Sequence, residues 1–305
     1  MLSSLGKNII KTLAYYDIFS YPLKAEEIFY NLSVNHCTSD DIKTELENLC
    51  SKNLLFRIDE FYLLQNNEQF VKRRIEGNKL CSKRLKSALR MSRFIAGFPF
   101  VRAVFLSGSI SKGFMEKDSD IDYFIITQPG RLWIAKLFLT VFKKIFLLNS
   151  RKLFCINYYI DSDHLEIDVK NIFTAIEIAS LIPVYGKKYY DEFYEKNCWI
   201  KDYFPNYPKR NNRMIDKTKP GYLKKFIEKI FDNRFGDRLD DFSMKIFSET
   251  IKRKFNYFNK NDFNLAFRTT KYESKYHPKF FQKKVLISYD EKVNHIQRDL
   301  KISLM

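Results

Sequence analysis

Residues 106–127 read LSGSISKGFMEKDSDIDYFIIT, and this stretch decides the fold. An apolar run of strand length closes on Ser107, Gly108 and Ser109. After ten intervening residues Asp120, Ile121 and Asp122 open a second apolar run that reaches Thr127. Gly108 has no Cβ, so the backbone there can approach a phosphate closely. Ser109 offers a hydroxyl and begins a short helical turn over 109–113, and a helix start attracts anions. Lys112 adds a positive charge for a phosphate oxygen. Asp120 and Asp122 alternate along a strand and so project to one face. Two carboxylates on one face suit Mg²⁺, a hard cation that takes carboxylate and phosphate oxygens. A pair of such ions stabilises the attacking and leaving oxygens of an in-line displacement. Read alone, Asp118 to Asp122 is equally a polar turn leading into a strand. Gly108 and Ser109 upstream favour the metal reading.

Outward from this stretch the chain alternates strands and helices. Residues 101–106 and 121–127 read as strands, 132–148 as a helix, 153–161 as a third strand and 165–169 as a fourth. Residues 174–182 read as a helix closed by Pro183, 187–197 as another helix, and 199–207 as a loop. The run 132–148 (LWIAKLFLTVFKKIFLL) approaches the ~20 residues a membrane span needs. Lys136, Lys143 and Lys144 interrupt it, and paired lysines are costly in lipid. A helix packed on a sheet explains the run, and no span is expected.

An apolar strand, Gly-Ser, ten residues, then Asp-x-Asp opening the next strand resembles the nucleotidyltransferase superfamily related to DNA polymerase beta. The resemblance covers 101–126 and extends over 153–197. It implies an α+β fold with a small mixed sheet. Members transfer a nucleoside monophosphate from an NTP to a hydroxyl, with pyrophosphate leaving. Carried onto this sequence, the resemblance implies that Gly108 and Ser109 hold the triphosphate and that Asp120 and Asp122 bind Mg²⁺ or Mn²⁺. The family usually has a third carboxylate on the following strand, which shares a metal and helps activate the acceptor. Here that position falls at Asn157, which by alternation shares a strand face with Tyr159 and Asp161. Asp161 serves only if the register shifts, and Asp168 is a more distant candidate. An Asn orients a hydroxyl or offers a carbonyl to a metal but is a poor base.

The flanks divide the chain into 1–66, 67–100, the nucleotidyltransferase-like 101–200, and 201–305. Residues 8–16, 25–32 and 42–51 read as helices, the last behind the capping run Thr38-Ser39-Asp40-Asp41. Residues 54–58 and 61–64 flank Asp59-Glu60 as a hairpin. Three helices followed by a hairpin is the order of a winged helix. Its third helix, which would read a DNA groove, carries Asp40, Asp41, Glu45 and Glu47, so a protein contact is the better expectation than DNA. Residues 69–98 read as one long basic connecting helix, either a nucleic-acid contact or a solvated bridge. After Pro220 the chain reads as a helical C-terminal unit, with helices at 222–231, 239–258 and 279–302, and with Lys275-Tyr276-His277-Pro278 as a helix start. Arg268 and Lys271 read as solvated surface or as contacts for an anionic acceptor.

The 305 residues carry 53 Lys+Arg against 36 Asp+Glu, a net charge of +17. Residues 201–305 hold 25 and 13 of these, hence +12. Such charge favours an anionic acceptor, RNA or a phosphorylated small molecule, over a neutral one; a solvated basic surface is the plainer account. Cys37, Cys50, Cys81, Cys155 and Cys198 lack C-x-x-C spacing, which argues against a disulfide framework or zinc site and for buried reduced thiols in the cytoplasm. His36, His164, His277 and His295 show no metal spacing. Residues 1–11 lack the apolar block of a cleaved signal. The sequence thus points to a Mg²⁺-dependent enzyme moving NMP from an NTP to an unknown acceptor hydroxyl. The alternatives are a weak or inactive nucleotide-binding module with a winged-helix unit for DNA or protein, and a member of a toxin–antitoxin pair.

Overall fold

The computed structural model describes residues 2–148, 150, 152–211, 215, 221–301 and 303–304. Pro220, and residue 302 at the end of the last helix expected from the sequence, lie outside them.

The N-terminal unit is built from α1 (Ser4–Asp17), β1 (Leu23–Lys24), α2 (Ala25–Tyr30), α3 (Ser39–Ser51), β2 (Phe56–Ile58) and β3 (Phe61–Leu63). Thr38 caps α3 in a reciprocal box: Asp41 N–H donates to its hydroxyl at 3.2 Å, and Thr38 N–H donates to the Asp41 carboxylate at 2.7 Å. β2 and β3 pair antiparallel about Asp59, whose φ of +54° fits the tight turn. β1 adds to β3, giving the order β1-β3-β2. Ile9, Leu13, Ile28, Ile42 and Leu46 form the core of the unit, and Leu304 from the far end of the chain is buried with them.

The connecting helix is α4 (Glu68–Ala96). Part of its basic charge is internal. Arg74 is 3% exposed, donates to Pro22 O and to Glu27 Oε1 at 2.6 Å, and stacks on Tyr21 and Phe61. Arg84 donates to Ser119 O at 2.8 Å and Lys117 O at 2.7 Å, and Arg73 pairs with Glu116 at 2.5 Å. Asn78 donates to Gly113 O at 2.6 Å. These contacts lay the 113–120 loop along α4 and deliver Asp120 to the next strand.

Then follow β4 (Val101–Ser107), α5 (Gly108–Ser111), β5 (Asp122–Thr127), α6 (Leu132–Phe146), β6 (Cys155–Asp161), α7 (Ile172–Ser180), β7 (Ile182–Tyr185), α8 (Lys187–Lys196) and α9 (Ile200–Tyr203). The C-terminal region holds α10 (Tyr222–Phe231), α11 (Arg234–Lys254), α12 (Lys260–Ala266), β8 (Phe267–Thr269), β9 (Glu273–Tyr276) and α13 (Phe281–Leu300). The second sheet runs β7-β4-β5-β6-β9-β8, parallel only between β5 and β6, which α6 connects. Phe105, Phe124 and Ile126 pack on one face against α7 and α8, and Val104, Tyr123 and Ile125 pack on the other against α4 and α6. No helix among the described residues is long and apolar enough to cross a membrane.

Four expectations change. The C-terminal region is not purely helical, because β8 and β9 extend the sheet; Lys275 and Tyr276 lie in β9, and α13 starts only at Phe281. The chain after α7 returns as edge strand β7, where Pro183 needs no ladder N–H. Residues 165–169 form no strand: Leu165 and Ile167 are buried, but the Asn197 side chain binds Leu165 O at 2.8 Å and Ile167 N–H at 2.9 Å. The 199–207 segment contains α9.

α11 fixes the start of α6. Asp240, with no exposed surface, accepts the Trp133 and Ile134 N–H groups, each at 2.9 Å, and pairs with Lys271 at 3.2 Å. A carboxylate on two orphan donors of a helix start is well placed for the helix dipole. Lys136, which broke the apolar run, donates to Ser274 Oγ at 2.6 Å and lies over the rings of Trp133, Phe247 and Tyr159. Burial pushes its pKa down to about 7. The unfolded chain therefore holds a proton on Lys136 that the folded chain releases between about pH 7 and 10, so folding gains as pH rises through this window. Relative to Lys136→Met, the protein is expected to gain up to ~1.4 kcal/mol per pH unit between pH 7 and 9, measurable by urea melts of both proteins.

Candidate active site

The site forms where β4, β5 and β6 begin or end together. β4 ends at Ser107, which pairs with Asp122 at the start of β5, and Asp122 in turn pairs with Cys155 at the start of β6. Gly108 turns the chain into α5 with φ +66°. A Cβ built there would meet Asp122 Oδ2 at 2.4 Å, so only glycine lets this turn close on the carboxylate. The Ser109 hydroxyl has no hydrogen-bond partner among the described residues. Lys112, the expected phosphate contact, instead donates to Gly108 O at 3.1 Å and pairs with Glu177 Oε1 of α7 at 2.7 Å. It clamps α5 onto α7.

Asn157 reaches Asp122. Its Nδ2 donates to Asp122 Oδ1 at 2.8 Å, while its Oδ1 lies 3.4 Å from the Cys155 thiol that donates to it. The approach depends on a register shift. Tyr123 pairs with Ile156 but Phe124 pairs with Tyr158, so Asn157 is an extra residue in β6. The bulge corrects the expectation that Asn157, Tyr159 and Asp161 share a face: Asn157 turns to Asp122, whereas Tyr159 packs in the opposite cluster. Asp161 pairs with Thr127 at the other end of the strands, about 17 Å from the Asp122 pair at strand spacing. There it accepts the N–H groups of Asp163 and His164, each at 3.1 Å, and pairs with the His164 ring at 2.7 Å. Asp168 is engaged by Arg268. Neither Asp161 nor Asp168 joins Asp122.

Burial pushes the Asp122 carboxyl up to about 6; the Cys155 thiol and Lys112 pull it down, and the Glu177 and Asp120 carboxylates push it further up. Burial and the same two aspartates hold the Cys155 thiol protonated, with a pKa pushed up to about 12. Asp120 has no hydrogen bond or ion pair among the described residues. No group of three His, Cys, Asp or Glu side chains among the described residues is arranged to hold a metal ion. Cys81 and Cys155 are buried as expected, Cys37 and Cys50 are half-buried, and Cys198 is exposed. Arg268 and Lys271, read as solvated surface, are ion-paired to Asp168 with Glu273 and to Asp240 with Asp241.

Residues 90–196 match the family model described as a nucleotidyltransferase domain. This segment is a nucleotidyltransferase domain. No curated protein and no solved structure matches the chain. The nucleotidyltransferase domain takes in the end of α4 and runs through α8, so β8 and β9 complete its sheet from outside the matched segment. Sequence reasoning missed two residues near its centre, Glu177 and Cys155. Glu177 is the only charged residue in IFTAIEIAS, the α7 sequence, and a lone carboxylate in an apolar helix was the available signal.

Proposed function

We propose that this chain transfers NMP from an NTP to an acceptor hydroxyl, with Asp120 and Asp122 as the carboxylates of a Mg²⁺-dependent site. The observation that carries this reading is Asp122 itself: a half-buried carboxylate beside Asp120 and Glu177, pushed up to about 6 at the Gly108 turn. Lys112 pairs with Glu177, and neither Asp120 nor Asp122 has an ion-pair partner among the described residues. Mg²⁺ is commonly held by one or two carboxylates with substrate phosphates completing its shell, so two aspartates fit one ion shared with an NTP. When bound, the metal supplies neutralising charge on the phosphates and polarises the phosphoryl group under attack.

The chain's own residues have distinct tasks. Gly108 and the free Ser109 hydroxyl receive the triphosphate. Asn157 orients Asp122 by its amide. The Lys112–Glu177 pair holds the Gly108 turn in place rather than meeting the phosphates. Attack on the α-phosphorus forms one P–O bond and releases pyrophosphate. Asn157 takes no proton, so the acceptor proton goes to substrate or water.

Asn157 supports a second reading, a domain that binds nucleotide and transfers slowly or not at all. The net charge of +17 favours RNA or an anionic small molecule as acceptor. The N-terminal unit is winged-helix-like in this reading. Its third helix exposes Asp40, Asp41 and Glu47, which favours a protein over DNA as its contact. Incubation with α-³²P NTP, Mg²⁺ and cell extract split into RNA, protein and small-molecule fractions tests the first reading. Label is expected in one fraction and absent with the Asp120→Asn/Asp122→Asn variant. Bound NTP with no transferred label in any fraction establishes the second.

A further inference from the structure

Helix α10 is amphipathic the wrong way round. Its polar side faces the protein: Lys224, 3% exposed, donates to Ala96 O at 2.8 Å and Val101 O at 2.6 Å. One turn on, Glu228 accepts the Phe100 N–H and an Arg102 N–H, each at 2.7 Å. These contacts fix the rotation of the helix and leave its apolar side outward. Tyr222, Leu223, Phe226 and Ile230 are 94%, 72%, 63% and 45% exposed. On a helix these four fall within one arc of about 100°. Phe231 stacks on Phe235 at 5.9 Å, and exposed Phe235 and Phe242 carry the apolar surface onto α11.

Cations border this surface. Lys225 and Lys229, four residues apart, run along one edge of the α10 arc, and Arg238 and Lys245, seven apart, run beside the α11 stripe. With Arg234, the side chains of these five hold no hydrogen bond or ion pair among the described residues. The nearby acids are already engaged: Asp232 and Asp237 by Arg131, Glu228 by Arg102, and Asp241 by Lys271. The rim therefore has an excess of positive charge.

We propose that the outward face of α10 and α11 is an interfacial element that docks on an anionic phospholipid surface. Its Phe, Leu and Tyr side chains enter the headgroup–acyl boundary and its cations meet the lipid phosphates. Exposed aromatic and aliphatic residues edged by Lys and Arg are the composition of helices that lie in that interface. A second copy of the chain fits worse. A two-fold contact would bring together two patches of the same positive charge, with the nearby acids already engaged. The placement also suits an enzyme. α10 is anchored at the Val101 end of β4, and Gly108 follows the other end, about 20 Å away at strand spacing. Docking leaves the nucleotide site open.

Sedimentation of the full chain with vesicles tests this. Vesicles of phosphatidylcholine with about 30 mol % phosphatidylglycerol are expected to retain the protein at low salt and release it at high salt, whereas pure phosphatidylcholine retains far less. Leu223→Asp/Phe226→Asp is expected to abolish retention with an unchanged melting temperature, since both side chains are exposed. Lys225→Gln/Lys229→Gln is expected to weaken binding about fivefold per cation. Absence of binding to the anionic vesicles would overturn the proposal, as would full retention of the Leu223→Asp/Phe226→Asp variant. A lipid-free dimer that the same variant dissociates would overturn it in favour of a second copy.

Discussion

Asp122→Asn is expected to reduce NMP transfer about 10³-fold, roughly the 4 kcal/mol that losing one charged ligand of a catalytic metal costs. The same substitution is expected to leave the fold more stable. Burial and neighbouring carboxylates already make the ionised form of Asp122 unfavourable in the protein. A neutral isostere keeps the acceptor for Asn157 Nδ2 and removes the buried charge, a gain of about 1–2 kcal/mol at pH 7 after allowance for solvent near the site. Activity and stability therefore move in opposite directions. Transfer assays beside urea melts check this; a variant that loses both would show that Asp122 serves only the fold. In the unsubstituted protein, lowering the pH from 7 to 5 protonates Asp122 in the folded state first. With metal and nucleotide absent, its contribution to stability accordingly rises as the pH falls through about 6 and levels off near the ordinary carboxylate value.

Gly108→Ala has the second large effect. At φ +66° an alanine costs about 1–2 kcal/mol in backbone strain. Its Cβ also meets Asp122 Oδ2, and both backbone and carboxylate are held, the first by the Lys112 and Ser111 hydrogen bonds to Gly108 O and the second by Asn157. Displacing the carboxylate by about 1 Å is expected to lower transfer about 10²-fold. Gly113→Ala is the control. Its φ is +76°, but the nearest atom to a new Cβ is Asn78 Nδ2 at 4.0 Å. It is expected to lose only the backbone-strain part of that stability and to keep its activity. Equal activity of the two variants would remove the Gly108 turn from the site.

The centre of the fold was legible because its signals are local. Strand, Gly-Ser, loop and Asp-x-Asp lie within 22 residues, and β4, β5 and α6 fall where the apolar runs place them. What stayed hidden depends on distant parts of the chain. β8 and β9 are short, with sequences FRT and ESKY, and become strands by pairing at the β6 edge. Pro183 reads as a helix stop, yet an edge strand tolerates it. Alternation cannot reveal a bulge, so it put Asn157 on one face with Tyr159 and Asp161 and did not show its contact with Asp122. Glu177 lies 65 residues from Lys112 in sequence. The periodicity of α10 gave a helix with the right bounds, but not the face it buries. That was decided by backbone groups near residues 96–102, which accept Lys224 and donate to Glu228.

The most direct test of the account follows where each phosphorus of the nucleotide goes. The full chain is incubated with Mg²⁺ and the active acceptor fraction, once with α-³²P NTP and once with γ-³²P NTP. NMP transfer predicts α-label in the acceptor and γ-label in pyrophosphate, both lost with Asp122→Asn. Label from the γ-position in the acceptor, or α-label transfer that survives Asp122→Asn, would contradict it.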